Sequence, residues 1–282
     1  MALYTTTSDV GGILPEQYGP LIVDPVTRAA LAFDPTVAAT VRTAGTNFHV
    51  PVVTEDAGAA WVAEGAEITP DDPTIDEIIV TPAKVAGLTI LSRELAEDSS
   101  PAAAQIVGEG LARSMARQVD AAFFGNLSAP APAGLGSLTA TATATGELSS
   151  VDVFADALAE AEAAGATVTA FVMHPDDALA LAKVKVGTGS AQPLLGTDAT
   201  AGTSRQVLGI PVHVSSSLTA GTAWAVDSSR VLTVLRDDVR LETDSSRYFD
   251  SDRVAVRATM RVGFAFPSQG ALVKMTLTTP AE

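Results

Sequence analysis

The chain has no cysteine, only four lysines (Lys84, Lys183, Lys185 and Lys274), three histidines and 5% aromatic residues. Without cysteine there is no disulfide, no thiolate metal site and no cysteine nucleophile, which suits a reducing birthplace. A formal charge of −16 argues against wrapping nucleic acid through counterion release, which needs clustered Lys and Arg. It does not exclude a wall that encloses DNA without holding it. No apolar run approaches the roughly 18–20 residues needed to span a bilayer, and Met1-Ala2-Leu3-Tyr4-Thr5 lacks the basic start and apolar core of a signal peptide. The expectation is a soluble protein without a leader.

Catalytic patterns are missing as well. His49, His174 and His213 stand alone, with no HExxH-type spacing. His174-Pro175-Asp176-Asp177 is the one suggestive group, and helix capping with acids in the first turn accounts for it. Gly187-Thr188-Gly189-Ser190 lacks the lysine of a phosphate loop, and no Gly-x-Ser-x-Gly elbow occurs. The carboxylates are scattered over loops without an acid–base pair. The sequence therefore predicts no catalytic residue, no cofactor and no metal site, and not an enzyme.

What is present is a globular composition. At 282 residues, 47% hydrophobic and 18% charged, the chain can bury the core of one large domain or two ordinary ones. Its basic residues are mostly arginine, 13 in all, and arginine forks suit carboxylate pairing at interfaces better than lysine does.

The stretch Ala59–Leu95 organises the rest. A tryptophan beside glycines and acids leads into a turn cluster, Thr69-Pro70-Asp71-Asp72-Pro73, and then a long β-like run from Ile75 to Leu91. Thr46–Thr54 is a second such run, so the two read as arms of an extended hairpin. Its middle carries Glu55, Asp56, Glu64, Glu67, Asp71, Asp72, Asp76 and Glu77 and almost nothing that fills a core. Such an arm reaches onto something else.

Before it, residues 1–27 read as an arm running over a surface, anchored by Leu14-Pro15 and Leu21-Ile22-Val23, or as a frayed terminus. Val26–Leu31 is a short helix candidate ending near Asp34-Pro35. After it comes the clearest helix, Pro101–Phe124. Ser100 is its candidate N-cap, Glu97 and Asp98 precede its positive end, and Gly125-Asn126 stop it. Val107, Leu111, Met115, Val119 and Phe123 repeat every four residues, while Glu109, Arg113, Arg117 and Asp120 are placed away from that stripe. At about 1.5 Å per residue the helix is about 35 Å long.

Residues 128–149 are low in complexity and read as a connection. Ser150 caps a helix Val151–Ala164 closed by Gly165, Val168–Met173 is a short buried strand, and Pro175 opens a helix to about Lys185. A glycine-rich loop, Gly187–Ser204, follows. Further strands are read at Leu208–Ser215, Ala223–Val226, Val231–Leu235 and Ala271–Leu277. Between Arg253 and Phe266 every even position is apolar, and the odd ones carry Arg253, Arg257 and Arg261. That is a strand with one buried face and an arginine ladder on the other. The whole is mixed α+β, without internal repeats.

Ala60-Trp61-Val62-Ala63-Glu64-Gly65, followed by Leu91-Ser92-Arg93-Glu94-Leu95 and directly by the long helix, resembles the major capsid proteins of tailed bacteriophages, with the Hong Kong ninety-seven-like fold. Met173-His174-Pro175-Asp176-Asp177 and Val207-Leu208-Gly209-Ile210-Pro211-Val212 continue the resemblance in order, and it covers nearly the whole chain. It implies an N-terminal arm (1–27), a peripheral P-domain (28–53, 84–134 with the spine helix, and 236–266), an extended loop (54–83), and an axial A-domain (135–235) with a return strand (267–282). It implies a structural virion protein that self-assembles through pentamers and hexamers into an icosahedral capsid around packaged double-stranded DNA. Assembly would take place in the host bacterial cytoplasm. The implied partners are a separate scaffolding protein, a portal protein at one vertex and decoration proteins, and no membrane.

Some members of that family weld subunits by isopeptide bonds between a loop lysine and an asparagine, with a glutamate as base. Here Ile78, Asp252 and Thr259 stand at those places, and no lysine lies between Arg42 and Lys84, so no cross-linking is expected. The intersubunit contacts expected are Trp61 as an apolar anchor, and Glu64, Glu67, Asp71, Asp72, Asp76 and Glu77 against Arg113, Arg117, Arg253, Arg257 and Arg261 of neighbours. An encapsulin-type nanocompartment around protein cargo is the alternative with the same fold. A hydrolase or sugar-binding protein would need a convergent pocket that the sequence does not offer.

Overall fold

The computed structural model describes residues 26–55, 57–59, 61–65, 67–92, 102–187, 190, 192–195, 205–244 and 246–278. The arm before residue 26, the helix start at Glu97–Pro101 and most of the 187–204 loop lie outside them. Three sheets and three main helices follow from the pattern. Strands β1 (Ala39–Thr43), β4 (Ala83–Ser92), β10 (Leu232–Asp244) and β11 (Arg253–Ala265) form a four-stranded sheet in the order β1-β10-β11-β4. Among the described residues, strands β2 (Phe48–Glu55) and β3 (Thr74–Val80) pair only with each other. Strands β5 (Ala142–Glu147), β6 (Ala170–Met173), β7 (Gln206–Val207), β8 (Ile210–Val214), β9 (Thr222–Val226) and β12 (Val273–Thr278) form a six-stranded sheet in the order β5-β12-β9-β6-β8-β7.

Helix α1 (Ala102–Phe124) lies on the four-stranded sheet. Its residues Leu111, Met115, Val119 and Phe123 pack against Ala258, Met260, Val262 and Phe264, the even face of β11. Phe123 meets Phe264 edge to face with centroids 5.0 Å apart, an arrangement that aromatic quadrupoles favour. The same core continues to Ala170, Val172, Trp224 and Val226 of the second sheet. The other face of that sheet, with Phe171, Met173, Ala223 and Ala225, takes helices α2 (Asp152–Ala163) and α3 (Pro175–Lys183). β6 is therefore buried on both faces, which explains its unbroken apolar run. Gly165, at φ +68°, ends α2 in the left-handed conformation, with the amide of Ala166 returning to the carbonyl of Ala161.

Four sequence expectations change. The Ile75–Leu91 run is two strands in two sheets, divided at Thr81-Pro82, because proline supplies no ladder donor and turns the chain. The low-complexity stretch holds β5, which pairs in parallel with β12 some 130 residues later. The strand begun near Val231 runs on to Asp244, since β11 pairs along it apart from a shift between Arg236 and Arg240. Asp120 faces inward and is 7% exposed. Its two carboxylate oxygens accept the backbone amides of Leu31 (3.2 Å) and Ala32 (3.1 Å), and Thr233 donates to the carbonyl of Ala32 at 2.7 Å. Helix α1, the residue 31–33 turn and β10 are thus tied by one polar junction. Burial pushes the Asp120 carboxyl up to about 6, against the opposing pull of those two amides.

Candidate intersubunit surfaces

The β2–β3 hairpin has two unlike faces because paired residues share a side. Phe48 opposite Val80 and Val50 opposite Ile78 pack onto Val234 and Ala265 of the four-stranded sheet, on the side away from α1. Gly263 makes this approach possible: a Cβ there would stand 2.6 Å from Cγ1 of Val80. The opposite side pairs His49 with Ile79, Pro51 with Glu77 and Val53 with Ile75. Val53, Ile75 and Ile79 are each more than half exposed, and His49 pairs with Glu77 between them. So the base of the arm is held by its own chain, and its outer face is an apolar stripe left to solvent.

Beyond the strands, residues 57–59, 61–65 and 67–73 form no regular structure, and Asp71 closes the loop by accepting the amide of Gly58 at 2.6 Å. Trp61 at this tip is 103% exposed and Ile68 76% exposed. Glu64, Glu67, Asp71, Asp72, Asp76 and Glu77 are all exposed. Glu77, Asp71 and Asp76, which accepts the amide of Glu77 at 2.8 Å, also serve contacts inside the hairpin, so of the six acids these three are committed first to the arm's own shape.

The arginines divide into two sets. Arg113 and Arg117 lie exposed on α1, Arg113 beside Glu109 at 3.7 Å. Arg253, Arg257 and Arg261 lie on the odd face of β11, the face turned from α1. A layer of sheet and helix separates the two sets, so one docked hairpin cannot meet both. Register places Arg261 between Arg236 and Lys84, and Arg257 between Glu242 and Leu88. Arg257 pairs with Glu242 of the same chain. The same face exposes Leu88 (58%) and Ile90 (41%), so it mixes apolar and basic ground. The sequence reading places these two in the long β-like run Ile75–Leu91 as part of the hairpin, without assigning them a face. Their even spacing on β4, against the half-buried odd positions, is the signal that finds them.

No curated protein matches the sequence. The family model described as "Phage capsid family" matches residues 35–277. Among solved structures, the chain is similar to the capsid of a native GTA particle, at 21% identity and a TM-score of 0.68, over 99% of this chain and 96% of that one. It is similar to a structure from Mycobacterium phage Adephagia, at 16% identity and a TM-score of 0.73, over 90% and 92%. It is also similar to a virus-like particle from Pyrococcus furiosus, at 14% identity and a TM-score of 0.62, over 93% and 98%.

Proposed function

The chain belongs to the phage capsid family, and we propose that it is a major capsid protein closing an icosahedral shell around a phage genome through pentamers and hexamers, without covalent cross-links. The observation that carries this reading is the arm: a hairpin fixed at its base, with its outer apolar stripe and its tip tryptophan left uncovered. A surface of that kind stabilises nothing in a lone subunit and supplies a large repeated contact in an assembly. The acids of the arm meet the outward arginine face of one neighbour, or the α1 arginines of another. Exposed pairs contribute about 0–1 kcal/mol each, so they set register, while the apolar residues supply affinity.

Cross-linking is disfavoured by the residues themselves. Ile78 is apolar and packs toward the sheet in the hairpin base, and Lys84 belongs to β4, not to the loop. A scaffolding protein, a portal, decoration proteins and enclosed double-stranded DNA belong to the same reading. So do a place in the virion and assembly in the host cytoplasm. The likeness to a virus-like particle supports a second reading, a shell around protein cargo.

Electron microscopy of the purified protein tests this directly. Shells holding nucleic acid support the first reading, shells holding protein the second, and particles that never form would refute both. A covalent ladder from boiled particles on a denaturing gel would sink the claim of purely non-covalent contacts. Reversal of Arg253, Arg257 and Arg261 to Glu is expected to lower particle yield, and an unchanged yield counts against the outward face as a contact.

A further inference from the structure

We infer that residues 31–38 form a proton-responsive strap, which ties helix α1 to the six-stranded sheet when its two end contacts are protonated and slackens when they are not. The strap leads into β1 and is buried at Val37 and Ala38. Its first end is the junction at Asp120, where one carboxylate takes the amides of Leu31 and Ala32. Its second end reaches the other sheet. The hydroxyl of Thr36 lies 2.8 Å from Nε2 of His213 on β8, and the carbonyl of Thr36 accepts the hydroxyl of Thr169, just before β6, at 2.7 Å.

The contacts at the second end dictate where its protons sit. An ionised carboxylate only accepts, so the single hydroxyl proton of Thr36 goes to Oδ1 of Asp34 at 2.6 Å. The hydroxyl oxygen is then left to accept from His213, which puts the proton of the neutral imidazole on Nε2. Nδ1 of that ring presents a lone pair to Oδ2 of Asp34, 3.9 Å away. Two acceptors facing each other repel, and a proton on Nδ1 turns the repulsion into an ion pair between strap and sheet. Asp34 is the charged group that meets the ring from the strap. Val172 of β6, opposite His213, and Trp224 of β9, opposite Val172, are buried and apolar. Asp227 and Arg230, on the far side of Thr169, have their own partners: the acid accepts the amides of Thr167 and Ser229, and the base donates to the carbonyl of Gly165.

The first end responds in the same direction. Asp120 is buried against neutral amides, while Arg113 and Arg117 before it on α1, and Arg28 before the strap, are exposed. Burial raises its pKa to about 6. Above that value the carboxylate is charged, and opening the strap is the way it regains water. Both ends therefore hold the strap closed at acid pH and favour opening as pH rises.

Hydrogen exchange of subunit amides at pH 5 and pH 8, corrected for the intrinsic rate, tests this. The amides of Ala32, Thr36, Val37 and Ala38 should lose protection about tenfold relative to those of β6, the change that the Asp120 proton alone supplies over this interval. Asp120→Asn and His213→Gln should each reduce the change, and the double variant should abolish it. Nitrogen NMR of the wild-type subunit, which needs no variant, should find the proton of the neutral His213 ring on Nε2. Strap protection that does not change with pH relative to β6, a change that survives in the double variant, or a neutral ring with its proton on Nδ1 would each overturn the strap. The joint lies within one subunit, so these outcomes are independent of whether shells form.

Discussion

Asp120 gives the subunit a pH dependence with a sign opposite to that of an ordinary surface carboxylate. Burial holds its pKa up at about 6 in the fold, against 3.8 for an aspartate in water. The native chain therefore holds a proton that the unfolded chain has already released between those values. Stability from this group is fully present below about pH 3.8 and is lost as pH rises through 6. A shift of that size corresponds to about 3 kcal/mol, at about 1.4 kcal/mol per pKa unit. Asp120→Asn removes the titration and keeps one acceptor oxygen for the two amides of Leu31 and Ala32, with its amide group facing the other. Leaving one buried amide unsatisfied costs about 1–3 kcal/mol at every pH. The assay is urea denaturation of dissociated subunits of both proteins from pH 4 to pH 7.5. The advantage of wild type over Asp120→Asn should be larger at pH 4 than at pH 7.5, by about 2 kcal/mol, the remainder appearing only below the unfolded value of 3.8. A difference that stays constant with pH, or that grows as pH rises, would refute the buried-carboxylate account. Comparing the two proteins at each pH cancels the titration of the remaining acids. Among these, Asp244 acts in the opposite direction: a hydroxyl hydrogen bond from Ser246 holds its pKa below the usual range.

Gly263→Ala should force the hairpin base off the sheet, since the new methyl meets Val80 at 2.6 Å. Overpacking of this kind costs about 1–3 kcal/mol, read as a lower Tm of the subunit and faster proteolysis within the β2–β3 arm. Phe123→Ala opens the aromatic junction with Phe264 and Phe124 and should cost about 3–5 kcal/mol in the same denaturation assay. Arg257→Ala removes only the exposed pair with Glu242. Subunit stability should change by less than about 1 kcal/mol, so any loss of particle yield in this variant is an assembly effect.

Much of the architecture is legible along the chain because its signals are local. The four-residue repeat from Leu111 to Phe123 specifies the buried stripe of α1, and the even apolar positions of Arg253–Phe266 specify which face of β11 is inside. The turn cluster at Thr69–Pro73 and the flanking β-like runs specify the β2–β3 hairpin. The acids and the tryptophan of its tip are visible as residues with no core to enter. These features depend only on helical and strand periods and on turn chemistry.

The rest depended on residues far away in sequence. A strand such as β5, written in alternating alanine and threonine, has no apolar signal of its own and becomes a strand because β12 offers it a ladder. Asp120 looked like a surface acid on α1. The turn at residues 31–33 delivers two amides to it and makes it an interior group. Pro82 divides a run of uniform character, but only packing assigns one half to the arm and the other to the sheet edge. The sequence by itself determined the long helix and its buried stripe, the inward face of β11 and the existence of an arm. The tertiary structure alone decided which face of that arm is covered, that the arginines stand on two sides of one layer, and that His213 reaches the turn before β1. Periodicity is a property of neighbours along the chain, whereas exposure, register and cavities are set by residues that only the fold brings together.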